Sequence, residues 1–76
     1  MAGLYKFIGR NGSLGLTKGN LYFIHIKRKL SGYIVAQIEG TVVIDGKIEY
    51  SRGKPIICEY SNINKFYENW EVYGNI

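Results

Sequence analysis

The chain reads as mainly β: a small antiparallel β-barrel of five or six strands with one short C-terminal helix. Three observations predict this. Ten glycines and a single proline in 76 residues, with seven tyrosines and frequent Ile and Val, favour strands joined by tight turns over a helical bundle. Residues 21–28 alternate at the period of a strand, Tyr22, Ile24 and Ile26 on one face and Phe23, His25 and Lys27 on the other, which grows more polar toward its end. Ile63, Phe66, Tyr67 and Trp70 then stand at i, i+3, i+4 and i+7, one face of a helix.

Taken in order, residues 4–8 make a first strand of aromatic and branched side chains. Residues 9–16 form a glycine-rich loop in which Asn11-Gly12 favours a positive φ and a tight reversal, with Leu14 and Leu16 expected beneath the loop. Successive N–H groups in such a loop can cradle a phosphate. The pattern here is neither G-x-G-x-x-G nor a P-loop, and a strand follows instead of a helix, so the loop is read as a structural turn. Residues 17–20 turn the chain into 21–28, the central strand, with Tyr22, Ile24 and Ile26 facing the core.

Residues 29–32 reverse the chain into a third strand, 33–38, with Ile34, Ala36 and Ile38 inward, and this reversal gathers Lys27, Arg28, Lys29 and Tyr33. Residues 41–44 and 47–50 flank Asp45-Gly46, the clearest two-residue hairpin signal in the chain. Residues 51–54 are expected to turn, and Pro55 opens a short strand, 56–58, where its missing N–H does least harm. The helix is expected over 62–69, capped by Ser61 or Asn62 and held only by burial of Phe66 and Trp70, because two turns do not survive alone.

A chain of this length makes one domain, 1–76, with a total stability of about 4–11 kcal/mol. The lone Cys58 cannot form an intrachain disulfide, which excludes a secreted disulfide scaffold. No apolar run approaches the roughly 20 residues that span a bilayer, and the start lacks the apolar segment of a signal peptide. Both point to a cytoplasmic protein with no membrane partner.

The net charge of +4 conceals an asymmetry. Six basic residues, Lys6, Arg10, Lys18, Lys27, Arg28 and Lys29, and no acid fall in 1–38, whereas four basic residues and all six acids fall in 39–76, so the halves carry +6 and −2. A positive surface of this kind meets a nucleotide, a nucleic acid or an acidic protein, or is a solvated face unless the fold interleaves the halves. The candidate contact residues are Lys6, Arg10, Lys27, Arg28, Lys29 and Tyr33.

Chemistry is poorly provided for. The single histidine, His25, and the single cysteine, Cys58, are far apart in sequence and supply two of the three or four ligands that zinc requires, and the six acids contain no close pair placed as acid and base. His25 is read as a sheet-surface residue and Cys58 as a small buried hydrophobe. No enzyme activity, no cofactor and no metal are expected.

Two resemblances accompany this reading. A strand, a glycine loop, Leu14-Gly15-Leu16-Thr17-Lys18-Gly19 and then Leu21-Tyr22-Phe23-Ile24 is similar to the way SH3-like barrels enter their second strand. The aromatic pair and proline of peptide-binding SH3 domains have no counterpart, which argues against proline-rich ligands. Phe7-Ile8-Gly9 with Gly12-Ser13-Leu14-Gly15, and Cys58-Glu59-Tyr60-Ser61 with Phe66 and Asn69-Trp70-Glu71, resemble small proteins of phages and prophages. That resemblance implies a phage origin, and with the charge pattern it leads to the expectation of a non-enzymatic binding protein of the host cytoplasm. It would act as a counter-defence inhibitor, sequestering an anionic nucleotide or blocking a host factor. A nucleic-acid-binding module and a protein–protein adaptor with no anionic ligand are the alternatives. Apolar residues on both faces of the first two strands further imply a homo-oligomer.

Overall fold

The structure is a computed structural model that describes residues 2–44 and 48–75, with the backbone alone described for 42–44, 48–52 and 75. Five strands form one antiparallel sheet in the order β4-β3-β2-β1-β5: β1 (Ala2–Phe7), β2 (Leu21–Arg28), β3 (Ile34–Ile44), β4 (Ile48–Tyr60) and β5 (Trp70–Asn75). The five-residue helix α1 (Ile63–Tyr67) joins β4 to β5. The mainly-β class with one short helix is therefore observed, and β2 is the middle strand, with the bounds its alternation predicts.

The core follows from that alternation. Tyr22, Ile24 and Ile26 of β2 are buried with Tyr5 and Phe7 of β1, Ile34, Ala36 and Ile38 of β3, and Cys58 of β4. The opposite face carries a smaller cluster of Leu4 and Leu21 with Phe23 packed against it, so the central strands are apolar on both sides at one end.

Among the described residues no backbone ladder joins β4 to β5, so the sheet is not closed by main-chain pairing. Side chains make the connection. The Trp70 Nε1–H at the start of β5 donates to the Tyr60 hydroxyl at the end of β4, 2.9 Å away. Phe66 of α1 sits between the two edges, edge-on to Tyr5 and Tyr60 at centroid distances of 5.3 and 5.7 Å and stacked on Trp70 at 6.2 Å. Trp70 is also packed on Phe7 at 5.0 Å and on Tyr22 at 5.7 Å. Such pairs add about 0.5–1.5 kcal/mol each beyond simple burial.

Several elements differ from the sequence expectation. The third strand and residues 41–44 are one strand, and residues 51–54 do not reverse the chain. Ile38 faces Ile56 and Gly40 faces Arg52, so residues 53–55 stand opposite Glu39 alone in a bulge within β4. Gly53 and Pro55 mark a break in the ladder that a neighbouring strand bridges. The Asp45-Gly46 turn lies outside the described residues, although Ile44 is paired with Ile48 on either side of it. Asn62 is the N-cap, its Oδ1 accepting from the Lys65 N–H at 3.0 Å. The helix ends at Tyr67, two residues before the expected Asn69, and Trp70, expected on the face of the helix, is the first residue of β5.

With Trp70 only 1% exposed at the centre of this cluster, Trp70→Ala is expected to cost about 3–5 kcal/mol. Urea melts should show a chain that is marginally folded or unfolded at 25 °C.

Candidate functional site

The β2–β3 reversal places four of the six candidate residues together. The Gly32 N–H donates to the Lys29 carbonyl at 2.9 Å and the Lys29 N–H to the Tyr33 carbonyl at 2.8 Å, with Gly32 at φ 88, a left-handed conformation that glycine adopts without strain. Lys27 and Arg28 end β2, and the Lys29 Nζ lies 5.7 Å from the centre of the Tyr33 ring, a cation–π contact. Lys27, Arg28 and Lys29 are exposed, and none of them is ion-paired or hydrogen-bonded through its side chain among the described residues. Like charges at this spacing repel one another and favour a bound anion.

The other two candidates stand elsewhere. Lys6 pairs with Leu21 at the start of β2, six residues or roughly 20 Å along the strand from Lys27. Arg10 lies in the loop beyond it. Lys6 also faces Glu71 across the β1–β5 ladder, and Glu59 is two strands from Lys27 through Val35. The acids of the second half are thus interleaved with the bases of the first, and the six candidates form two groups at opposite ends of β2.

The glycine loop is a self-contained turn. Its Gly12, Ser13, Gly15 and Leu16 N–H groups donate to the carbonyls of Leu16, Arg10, Gly12 and Ser13 at 2.7–3.1 Å, the Lys18 N–H to Asn11 Oδ1, and the Thr17 N–H to the Tyr22 hydroxyl. These donors are already occupied and present no phosphate cradle. Leu16 is buried as expected, but Leu14 is 63% exposed at φ 52, ψ 26. A branched residue there costs about 1–2 kcal/mol, and nothing in the core repays it.

Beside this loop runs a groove of ≈ 260 Å³ between Leu14, Leu16 and the β4 residues 57–60, with Phe7 and Asn69 at its base. Gly9 lets the chain pass here, because a Cβ would lie 2.5 Å from Asn69 Oδ1 and 2.8 Å from the Phe7 ring. A second hollow of ≈ 380 Å³ is lined by Ile26, Arg28, Ile34 and Ile63, so Arg28 borders a cavity. Sequence reading missed the groove, since its walls come from segments some forty residues apart and only Leu14 gives a local signal.

Among the described residues no group of three or more His, Cys, Asp or Glu is placed to hold a metal, and no helix is long and apolar enough to cross a membrane. His25 is half-buried on the sheet face away from the main core, and Cys58 is buried. Compared with known proteins, the chain matches no family model, no curated protein and no solved structure.

Burial pushes the Tyr60 hydroxyl up to about 12, with the Trp70 hydrogen bond opposing, and burial also raises Cys58 and Tyr5. For Tyr60 the folded state retains a proton that the unfolded chain releases near pH 10.0. Its contribution is complete below that pH and is lost as pH rises through about 12. Tyr60→Phe should cost about 1–3 kcal/mol at neutral pH, because the Trp70 N–H loses its acceptor. It should also flatten the alkaline loss of stability over that window, as read from urea midpoints.

Proposed function

We propose that this protein is a non-enzymatic binding module whose β2–β3 turn contacts an extended polyanion, best matched by a single-stranded nucleic acid. Lys27, Arg28 and Lys29 would neutralise successive phosphates, and Tyr33 would offer a ring on which a base stacks. The observation that carries the reading is a protruding turn on which the Lys29 Nζ stands 5.7 Å from the Tyr33 centroid, with exposed Lys27 and Arg28 beside it on alternate faces of β2.

Shape favours a polymer over a sequestered mononucleotide. A mononucleotide is held by a pocket that covers most of its surface. Here Lys27, Lys29 and Tyr33 line none of the described cavities, and the hollow beside Arg28 is otherwise walled by isoleucine. An exposed turn contacts a strand or an acidic surface without enclosing it. A phage-type role in the host cytoplasm, occupying a host component without altering it, accords with this reading and with the resemblance at the two ends of the chain.

Binding carried by three phosphate contacts to a single strand should weaken about 20-fold between 50 and 200 mM salt. Replacing Lys27, Arg28 and Lys29 together with alanine should abolish binding of a labelled oligonucleotide and its salt dependence, while the melting temperature stays unchanged or rises slightly. Full binding by the triple variant would overturn the proposal.

A further inference from the structure

The β2–β3 turn carries one residue that polyanion binding does not use. Leu30 is 110% exposed, its side chain wholly in solvent at the tip between Lys29 and Ser31. The turn does not require it, because a position whose neighbours are held by the Lys29–Gly32 and Lys29–Tyr33 hydrogen bonds accepts most polar residues. The core does not use it either.

The groove beside the glycine loop is the converse feature. Leu14, 63% exposed and left-handed, stands on one wall and Ile57, 51% exposed, on the other, with buried Leu16 also lining the groove. Its ≈ 260 Å³ exceeds the ~150 Å³ cavity that admits a benzene ring, which leaves ample room for a leucine side chain. Glu59 lines the groove, and its exposed carboxylate is not in an ion pair among the described residues.

We propose that a second copy of this chain docks here, the Leu30 tip of one copy entering the groove between Leu14 and Ile57 of the other. The charges complement one another: Lys29 precedes Leu30 at the tip, and Glu59 lines the groove. The geometry permits exchange. Ile34, just after the turn, pairs with Tyr60, and the groove residues 57–60 pair with 34–37, so the tip and the β4 wall of the groove occupy the same end of β3. Two copies related by a two-fold axis bury both tips at once. The contact also accounts for a leucine held in a conformation better suited to glycine, since its side chain serves the neighbouring molecule. This inference rests on Leu30, Leu14 and Ile57, shares only Lys29 with the phosphate contacts, and stands without nucleic acid.

Sedimentation equilibrium on the full chain up to high micromolar concentration, with no nucleic acid present, tests it. The expected mass rises from 8.7 kDa to twice that value. Leu30→Asp should raise the dissociation constant on the order of 10- to 100-fold with the melting temperature unchanged. Leu14→Gly removes half of the groove while relieving the left-handed backbone, so it should weaken association while leaving the fold as stable or more so. Lys29→Glu and Glu59→Lys should each weaken association, and the two together should restore it. A wild-type chain that stays monomeric throughout, or association undiminished in Leu30→Asp or in Leu14→Gly, would overturn the proposal.

Discussion

The fold depends on one bond across a gap. The sheet ends at β4 on one side and β5 on the other with no ladder between them among the described residues, and the Trp70 Nε1–H to Tyr60 hydroxyl contact at 2.9 Å joins the two edges. A single hydrogen bond contributes only about 1 kcal/mol net. What gives this one its weight is its setting: the Phe66, Phe7 and Tyr22 rings pack on the same indole, and an unpaired indole N–H there would carry its whole desolvation cost. In a chain this short the aromatic cluster is a large fraction of the total stability.

That closure also sets what the surface offers. Because α1 and its aromatics join the edges, the main chain of β4 near residues 57–60 is left beside the glycine loop and opens a groove there, while the β2–β3 turn projects free of any covering element. One strand period separates a surface of charge from one of apolar contact. Lys27 lies on the side of β2 away from the main core, Ile26 lies within that core, and Arg28 sits at its mouth.

The sequence made some of this legible and hid the rest for physical reasons. Residues 21–28 announce their strand because Tyr22, Ile24 and Ile26 fill the main core while the other face turns from apolar Leu21 and Phe23 to His25 and Lys27. Residues 51–54 read as a reversal and Pro55 as the opening of a strand, since the same residues serve a reversal or a bulge and only the partner strand decides between them. The spacing of Phe66 and Trp70 correctly indicated that the two side chains meet, and their rings stack at 6.2 Å. It misassigned the backbone, because Asn69 returns its amide to the Lys65 carbonyl at 3.2 Å and turns the chain out of the helix before Trp70. In the site, Lys27, Arg28, Lys29 and Tyr33 were legible because a turn is local. The separation of Lys6 and Arg10 from them, and the pairing of Leu14 with Ile57, are consequences of strand register that no local pattern contains.

The central claim, that side chains and not main-chain pairing hold the two edges together, is tested most directly by a double-mutant cycle on Tyr60→Phe and Trp70→Phe, measured by urea unfolding at neutral pH. The account predicts a coupling of about 1 kcal/mol, with the double variant more stable than the sum of the single losses requires. Additive losses, with a coupling indistinguishable from zero, would contradict it.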